Sequence, residues 1–309
     1  MTMKTGADQP FDAAIIGGNF AGLSAALYLL RARRRIVLFD DGQHRNRFAG
    51  HSHGFLGHDG MAPAMIKANG LAQLRAYPGL TVVEARVTSL ALALDAFQLD
   101  WAGGKAQALR VILATGQRDI LPEVPGLADC WGITANQCPY CHGFELADLP
   151  TGILLGEHLQ AGHYLRQIRR WAGVLTVFDN GAVLAAETLA LIAEFGLRHL
   201  SGPIEALHHT AGKLREVRVA GAASVPLQAF YLASRTEPAS SFAADLGCDM
   251  VDGHTGLHVK TDNWQRTSVP GVFAAGDLAS PMAAAIFAAA GGASAGLGCD
   301  MDLAGLLPG

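Results

Sequence analysis

One pattern occurs twice in this 309-residue chain and limits what it can fold into: an apolar run, a glycine, a helix-forming stretch, a second apolar run and an acid. The first copy passes from Ala13-Ala14-Ile15-Ile16 through Gly17-Gly18-Asn19-Phe20-Ala21-Gly22 and Leu23-Ser24-Ala25-Ala26-Leu27-Tyr28-Leu29-Leu30, and closes with Ile36-Val37-Leu38-Phe39-Asp40. The second begins at Ile153-Leu154-Leu155-Gly156 and closes with Thr176-Val177-Phe178-Asp179. Gly17 to Asp40 and Gly156 to Asp179 are both 23 residues, a repeat at a shift of 139. Short apolar runs flanking a helical stretch read as buried parallel strands joined by a crossover helix, so each copy predicts a βαβ unit. Two such units predict an α/β protein with two Rossmann-like domains, and the length suits two domains. A late strand, Val272-Phe273-Ala274-Ala275, runs into Gly276-Asp277 and precedes an uncharged stretch, residues 282–290, that reads as a helix needing a partner sheet. Residues 121–126 and 237–247 have the proline, glycine and polar content of crossings between domains.

Composition removes several classes. Half the chain is apolar, enough for a sizeable core, and charged residues are only 16%, against roughly 25% in ordinary soluble proteins. With 23 basic and 27 acidic residues, no basic run beyond Arg33-Arg34-Arg35 and no interleaved aromatic series, a nucleic-acid partner is not expected. Residues 278–299 carry no charge, but alanine and glycine fill most of them, which predicts a buried helix and no membrane span. The first ten residues, with Lys4 and Asp8, do not read as a signal peptide, so a cytoplasmic protein is expected. Five cysteines, of which only Cys138 and Cys141 are close in sequence, do not describe a secreted disulfide framework. Cys130, Cys248 and Cys299 are expected to be buried small apolar residues.

In a βαβ unit the glycines let the backbone approach a pyrophosphate at the helix start, where unpaired N–H groups and the helix dipole favour negative charge. Gly17, Gly18 and Gly22 fit that role, with Asn19 in place of the middle glycine of G-x-G-x-x-G, and Asp40 is placed to accept from ribose hydroxyls. The second copy retains one glycine, Gly156, and follows it with Glu157 and His158, a carboxylate and a bulky ring where a dinucleotide needs neither. Asp179-Asn180 offers no cation for a 2′-phosphate, which disfavours NADPH. Two readings stand: a nucleotide fold kept as scaffold, or a weak NADH site.

Cys138-Pro139-Tyr140-Cys141-His142 is the chemical centre of the sequence. Two thiols two residues apart can close a small disulfide ring, and an adjacent imidazole or helix start lowers a thiol's pKa. The same residues are open to three other readings. C-x-x-C-H also attaches c-type haem, the pair can supply half a zinc site, and two cysteines can be inert. Haem attachment would need an axial ligand and another compartment, and zinc would need two more ligands, for which no C-x-x-C or H-x₃₋₅-H partner stands out; no metal is expected. Among twelve histidines, His44, His51, His53 and His58 cluster in a glycine-flanked loop, from which one histidine is a candidate for the active site.

Ile15-Ile16-Gly17-Gly18-Asn19-Phe20-Ala21-Gly22-Leu23-Ser24-Ala25-Ala26, Ala114-Thr115-Gly116, the Cys138/Cys141 pair and Gly276-Asp277 together resemble the low-molecular-weight thioredoxin reductases, over almost the whole chain. The resemblance implies a FAD-binding domain of residues 1–122 and 248–309 and an inserted, degenerate NAD(P)-type domain of residues 123–247 that carries the cysteines. It implies FAD contacts from Gly17, Gly18, Asn19, Phe20, Ala21, Gly22, Asp40, Asp41, Arg45, Asn46, His53, Val87, Ala114, Thr115, Gly116, Gly276 and Asp277. Within the family, Arg45-Asn46, residues 53–60 and residues 138–145 are similar to oxidases that close disulfides in gliotoxin- and holomycin-type metabolites, use oxygen and lack a working NADPH site. Asn19 and Ala284 depart from the thioredoxin reductase pattern. The resemblance implies a homodimeric dithiol oxidase in which substrate thiolate attacks Cys138, Cys141 lies nearer the flavin, oxygen becomes peroxide, and His142, standing where the reductases carry an acid, moves protons. The substrate is a small dithiol or a protein thiol pair. A disulfide reductase fed by NAD(P)H or ferredoxin, and a non-catalytic flavoprotein, are the alternatives.

Overall fold

The computed structural model describes residues 9–156 and 161–307. The chain divides into two compact units, one of Met1–Arg47, Phe55–Arg118 and Thr236–Gly309, the other of Phe48–Gly54 and Asp119–Arg235. The second is thus an insertion in the first. The later crossing falls before residues 237–247 because Ala243 of the helix Phe242–Asp245 is buried in the first unit's core, with Phe242 and Leu246 packed against it.

The first unit is built on a seven-stranded sheet. Its elements in chain order are β1 (Phe11–Ile16), α1 (Phe20–Arg31), β2 (Ile36–Phe39), α2 (Pro63–Leu74), β3 (Leu80–Val83), β4 (Val87–Ala93), β5 (Ala96–Trp101) and β6 (Gly104–Leu113). The sheet order is β3-β2-β1-β6-β5-β4, and the strand Val272–Ala274 joins β6 in parallel. Successive residues of the buried strands face opposite sides: Ala14, Ile16, Val37 and Phe39 enter one apolar cluster, Ala13, Ile15, Ile36 and Leu38 the other. That is why these strands read as continuous apolar runs.

Register then brings the motifs together. Val83, Phe39, Ile16, Leu113 and Ala274 lie in one row across the parallel strands. Each is the last residue of its strand, so Asp40, Gly17, Ala114-Thr115 and Ala275-Gly276-Asp277 emerge at one edge of the sheet. In open parallel sheets this carboxyl edge is where ligands bind.

The uncharged stretch expected as a helix over 282–290 forms a longer one, Ala285–Leu303, with Ala284 at its N-cap. It lies against α1 at close range because its contact face is glycine: a Cβ at Gly292 would overlap the Ala21 backbone, and one at Gly296 would lie 2.5 Å from the Ala25 carbonyl oxygen. No helix among the described residues is long and apolar enough to cross a membrane.

The second unit carries a five-stranded parallel sheet in the order Arg198–Leu200, Leu175–Phe178, Thr151–Leu154, Ala229–Leu232, Ala135–Asn136. A three-stranded antiparallel sheet, Ile204–Thr210, Lys213–Val219 and Val225–Pro226, accompanies it. The register corrects the spacing of the repeat. Ile16 pairs with Phe39, whereas Leu154 pairs with Phe178, so the first strands are related by a shift of 138 and the second by 139. The N–H of Gly17 donates to the Phe39 carbonyl at 2.9 Å, and the N–H of Leu155 donates to the Phe178 carbonyl at the same distance. Leu155 therefore stands where Gly17 does, and Gly156 answers to Gly18.

The helix contact gives a measurable expectation. Gly292→Ala forces α1 and the last helix apart and lowers the unfolding free energy by about 1–3 kcal/mol, seen as an earlier denaturation midpoint. Gly50→Ala, at an open position with nothing within 4 Å of a new Cβ, leaves the midpoint within about 0.5 kcal/mol of wild type.

Candidate active site

At the carboxyl edge of the first sheet, three glycines are required by space. Gly17 has φ +116°, and a Cβ there would overlap the Ala114 carbonyl. A Cβ at Gly18 would lie 2.5 Å from the Asp40 Cβ, and one at Gly22 would overlap the Gly17 carbonyl. The bare backbone so produced leads into α1, whose first turn carries no acid and whose N-cap, Asn19, makes no side-chain cap. Its leading N–H groups are left for a ligand. Phe20 and Ala21 are buried at the helix start.

Most residues predicted for this site are joined to one another. The Asn19 side-chain N–H₂ donates to the Asn46 Oδ1 at 3.2 Å, which holds the amide that replaced a glycine against the turn Arg45–Phe48. Arg45 pairs with Asp277 at 3.0 Å, and Gly276 adopts φ +71° with room for no more than a hydrogen beside the Ala21 Cβ. Thr115 accepts from the Ser240 hydroxyl at 3.1 Å, and Gly116 takes φ +73° as β6 ends. Asp41 is exposed and accepts from the Gln43 N–H at 3.0 Å. The Val87 side chain is buried in the apolar core.

One partner had no sequence signal. Lys67 on α2 lies 2.6 Å from Asp40 Oδ2, while Asp40 Oδ1 accepts from the Gly42 N–H at 3.0 Å. A carboxylate can accept about four hydrogen bonds, so capacity for hydroxyl donors remains. Burial first and Lys67 second hold the nearby His44 below its ordinary pKa.

The equivalent edge of the second unit differs in kind. Leu155 is fully buried at the place of Gly17, and among the described residues a Cβ at Gly156 would meet nothing within 4 Å. Glu157 and His158 lie outside the described residues. Asp179, only 3% exposed, is already engaged: Oδ1 accepts from the Gly181 and Gly202 N–H groups at 2.8 and 3.0 Å, and His199 Nε2 lies 3.0 Å from Oδ2. Burial opposes its ionisation, but hydrogen bonds from Gly181, Ser201, Gly202 and His199 outweigh burial and hold the carboxyl below its ordinary range.

Cys138 and Cys141 form a disulfide, Cα to Cα 5.3 Å, at the start of the short helix Pro139–His142. Cys138 is its N-cap and Pro139 its first residue, a position where a missing N–H costs nothing. Gly143 is needed because a Cβ there would lie 2.9 Å from the Trp171 ring, which in turn meets Tyr140 edge-on at 5.3 Å.

His142 is brought beside the loop Phe48–Gly54, which belongs to this unit. Its ring centroid is 6.4 Å from that of His53, which is 6.3 Å from His51, and His53 Nε2 lies 3.4 Å from Glu145 Oε1. His53 thus stands next to the cysteine motif. Burial first and the charge of His53 second lower the pKa of His142, against a smaller raising by Glu145. The ring is consequently neutral at pH 7 and able to accept a proton. Tyr231 is buried in the same unit, its hydroxyl pushed up to about 12 by burial and then by Glu145.

The other three cysteines are buried, and burial pushes each thiol up. Native protein is therefore expected to take no alkylating label as prepared and two labels after reduction, at Cys138 and Cys141, with all five labelled only after denaturation. Mass spectrometry of iodoacetamide-treated protein reads this directly, and labelling of Cys299 in native protein would contradict the packing.

The chain matches the family described as pyridine nucleotide-disulphide oxidoreductase over residues 11–160. It is similar to thioredoxin reductase sirT of Leptosphaeria maculans, with 32% identity covering 96% of this chain and 95% of that protein. Among solved structures, an oxidoreductase from Agrobacterium tumefaciens shares 38% identity at a TM-score of 0.88, covering 96% of this chain and 99% of that one. The structure of HlmI shares 32% identity at a TM-score of 0.88, covering 97% and 94%. With its two Rossmann-like units and its cysteine pair, the chain belongs to the pyridine nucleotide-disulphide oxidoreductase family, as a thioredoxin reductase-like oxidoreductase.

Proposed function

We propose that this protein is a FAD-dependent thiol oxidase that forms a disulfide in a dithiol substrate through Cys138 and Cys141, with oxygen as electron acceptor and hydrogen peroxide as product. The observation that carries the reading is the contrast between the two βαβ units. One needs all three of its glycines, while the other has Leu155 in the place of the first and an acid already saturated by internal donors. A single dinucleotide site supports electrons entering from substrate thiols and not from a nicotinamide.

The family is one of flavoproteins that typically bind FAD, and the cradle of Gly17, Gly18 and Gly22, which side chains would fill, fits that group. These glycines and the start of α1 would hold the pyrophosphate, Asp40 the adenosine ribose, and the Asp277 and Arg45 region the ribityl chain. When bound, FAD accepts two electrons from the enzyme dithiol and delivers them to oxygen.

The residues of the chain do the thiol chemistry. His142, neutral because burial and then His53 depress its pKa, takes the proton of an incoming thiol. The thiolate attacks Cys138, the Cys138–Cys141 bond breaks, and Cys141 leaves as thiolate. The substrate's second thiol then attacks the mixed disulfide, an intramolecular step with a large effective concentration. Two electrons and two protons have moved from the substrate to the cysteine pair, and the substrate leaves oxidised. A homodimer belongs to the same reading, on the resemblance alone.

An anaerobic absorbance titration near 450 nm with NADPH, NADH and a small dithiol tests it. The expected result is bleaching by the dithiol alone, followed by recovery and peroxide on admitting air. Rapid bleaching by a nicotinamide would make the protein a reductase. His142→Ala should slow thiol oxidation by about 10²–10⁴-fold with flavin retained, and unchanged turnover would remove the proposed role of that ring.

A further inference from the structure

Beyond the charge of His53, two features at the cysteine motif have no part in the scheme above: where that ring is held, and the carboxylate that holds it. His53 comes from a loop more than eighty residues earlier in the chain, yet it packs in the same unit as the motif, edge-on to His142 at 6.4 Å between centroids. Glu145, three residues beyond His142, has its Oε1 3.4 Å from His53 Nε2, an ion pair whenever that ring is protonated. The His53 side chain is only 18% exposed and Glu145 is 41% exposed, so the imidazole is sheltered while the carboxylate reaches solvent. No hydrogen bond joins the His142 ring to any described residue, which leaves it to be oriented by packing and to exchange protons with whatever approaches the disulfide.

We propose that His53 is the positioning residue of His142: held by Glu145, it fixes the ring beside the disulfide, so that His142 stays the proton acceptor. The proposal deepens the thiol oxidase reading and rests on it. Burial first, and positive charge on His53 second, oppose a proton on His142, against a smaller raising by Glu145. The exchange itself is unaltered: a thiol proton passes to an imidazole, the thiolate breaks the Cys138–Cys141 bond, and the released thiolate takes a proton back. Among the described residues, the charged and titratable groups facing His142 are His53 and His51 from the loop and Glu145 from its own segment; Tyr231 faces Glu145 and stays neutral.

The sign of the effect on pH dependence is fixed by these charges. Below its depressed pKa His142 is protonated and cannot accept from a thiol, so the rate of disulfide reduction falls along a limb that lies below the ordinary histidine value of 6.5. Removing His53 removes a repelling charge and moves the limb up. Removing Glu145 removes an attracting charge and moves it down.

The experiment measures, in the full-length protein under anaerobic conditions, the rate at which dithiothreitol opens the Cys138–Cys141 disulfide, quenched by alkylation and read by mass, from pH 4.5 to 8. Wild type is expected to show the limb, His142→Ala to lose it, His53→Gln to shift it up and Glu145→Gln to shift it down. Opposite shifts in two variants cannot arise from partial unfolding. A limb that stays put in both variants overturns the role of His53 while leaving the oxidase reading intact. A disulfide that dithiothreitol does not open at any pH overturns both.

Discussion

Close approach of backbone to backbone at the carboxyl edge of the first sheet is the constraint on which the rest of the first unit depends. Gly17 sits against the Ala114 carbonyl, Gly22 against the Gly17 carbonyl, and Gly292 against Ala21, so that strand ends, α1 and the last helix share one tightly packed corner. Each contact excludes even a methyl group, and together they fix where α1 begins. Its free N–H groups then point to the same edge at which Asp40, Thr115 and Asp277 emerge. The binding corner follows from the sheet register, because Phe39, Ile16, Leu113 and Ala274 end their strands in one row.

The second unit shows what happens when that constraint is lifted. Its strands have the same parallel order around Thr151–Leu154 and Leu175–Phe178, with the same hydrogen bond from the residue after the first strand to the end of the second. Yet Leu155 replaces the glycine and is buried as part of an apolar cluster. Its acid, Asp179, has turned inward to serve the loop ends at Gly181 and Gly202. The fold persists because strand pairing and the apolar core hold it, neither of which needs an open turn. A scaffold can therefore lose a ligand site without losing its architecture.

The legible part of the sequence was what local chemistry writes there. Apolar runs ending in glycine or an acid gave the strands, their helices and the repeat, and the cysteine spacing matched the observed disulfide. Residue identity pairs Gly156 with Gly17 and so offsets the first strand of the repeat by one residue, whereas equivalence is set by hydrogen-bond register, in which Gly156 answers to Gly18. Lys67 left no trace because a lysine on an amphipathic helix looks like any solvated charge. The neighbour of His53 leaves no sign in the sequence because the loop Phe48–Gly54 has no periodicity to say which unit it joins, and the fold sets it edge-on to His142.

That placement changes how the cysteine site is read. A disulfide beside a lone histidine would have only that ring's ordinary pKa to work with, which leaves it partly charged near neutrality. Burial and a second imidazole push His142 toward the neutral form, against a smaller raising by Glu145, which lies 3.4 Å from His53. Two side chains of the same type are thereby given different surroundings, one paired with a carboxylate and the other beside the disulfide. The loop that supplies His53 leaves the first unit at Arg47 and returns at Phe55, directly after Arg45 and Asn46 at the dinucleotide corner. A change within Phe48–Gly54 would therefore act on the proton chemistry at the cysteines through His53.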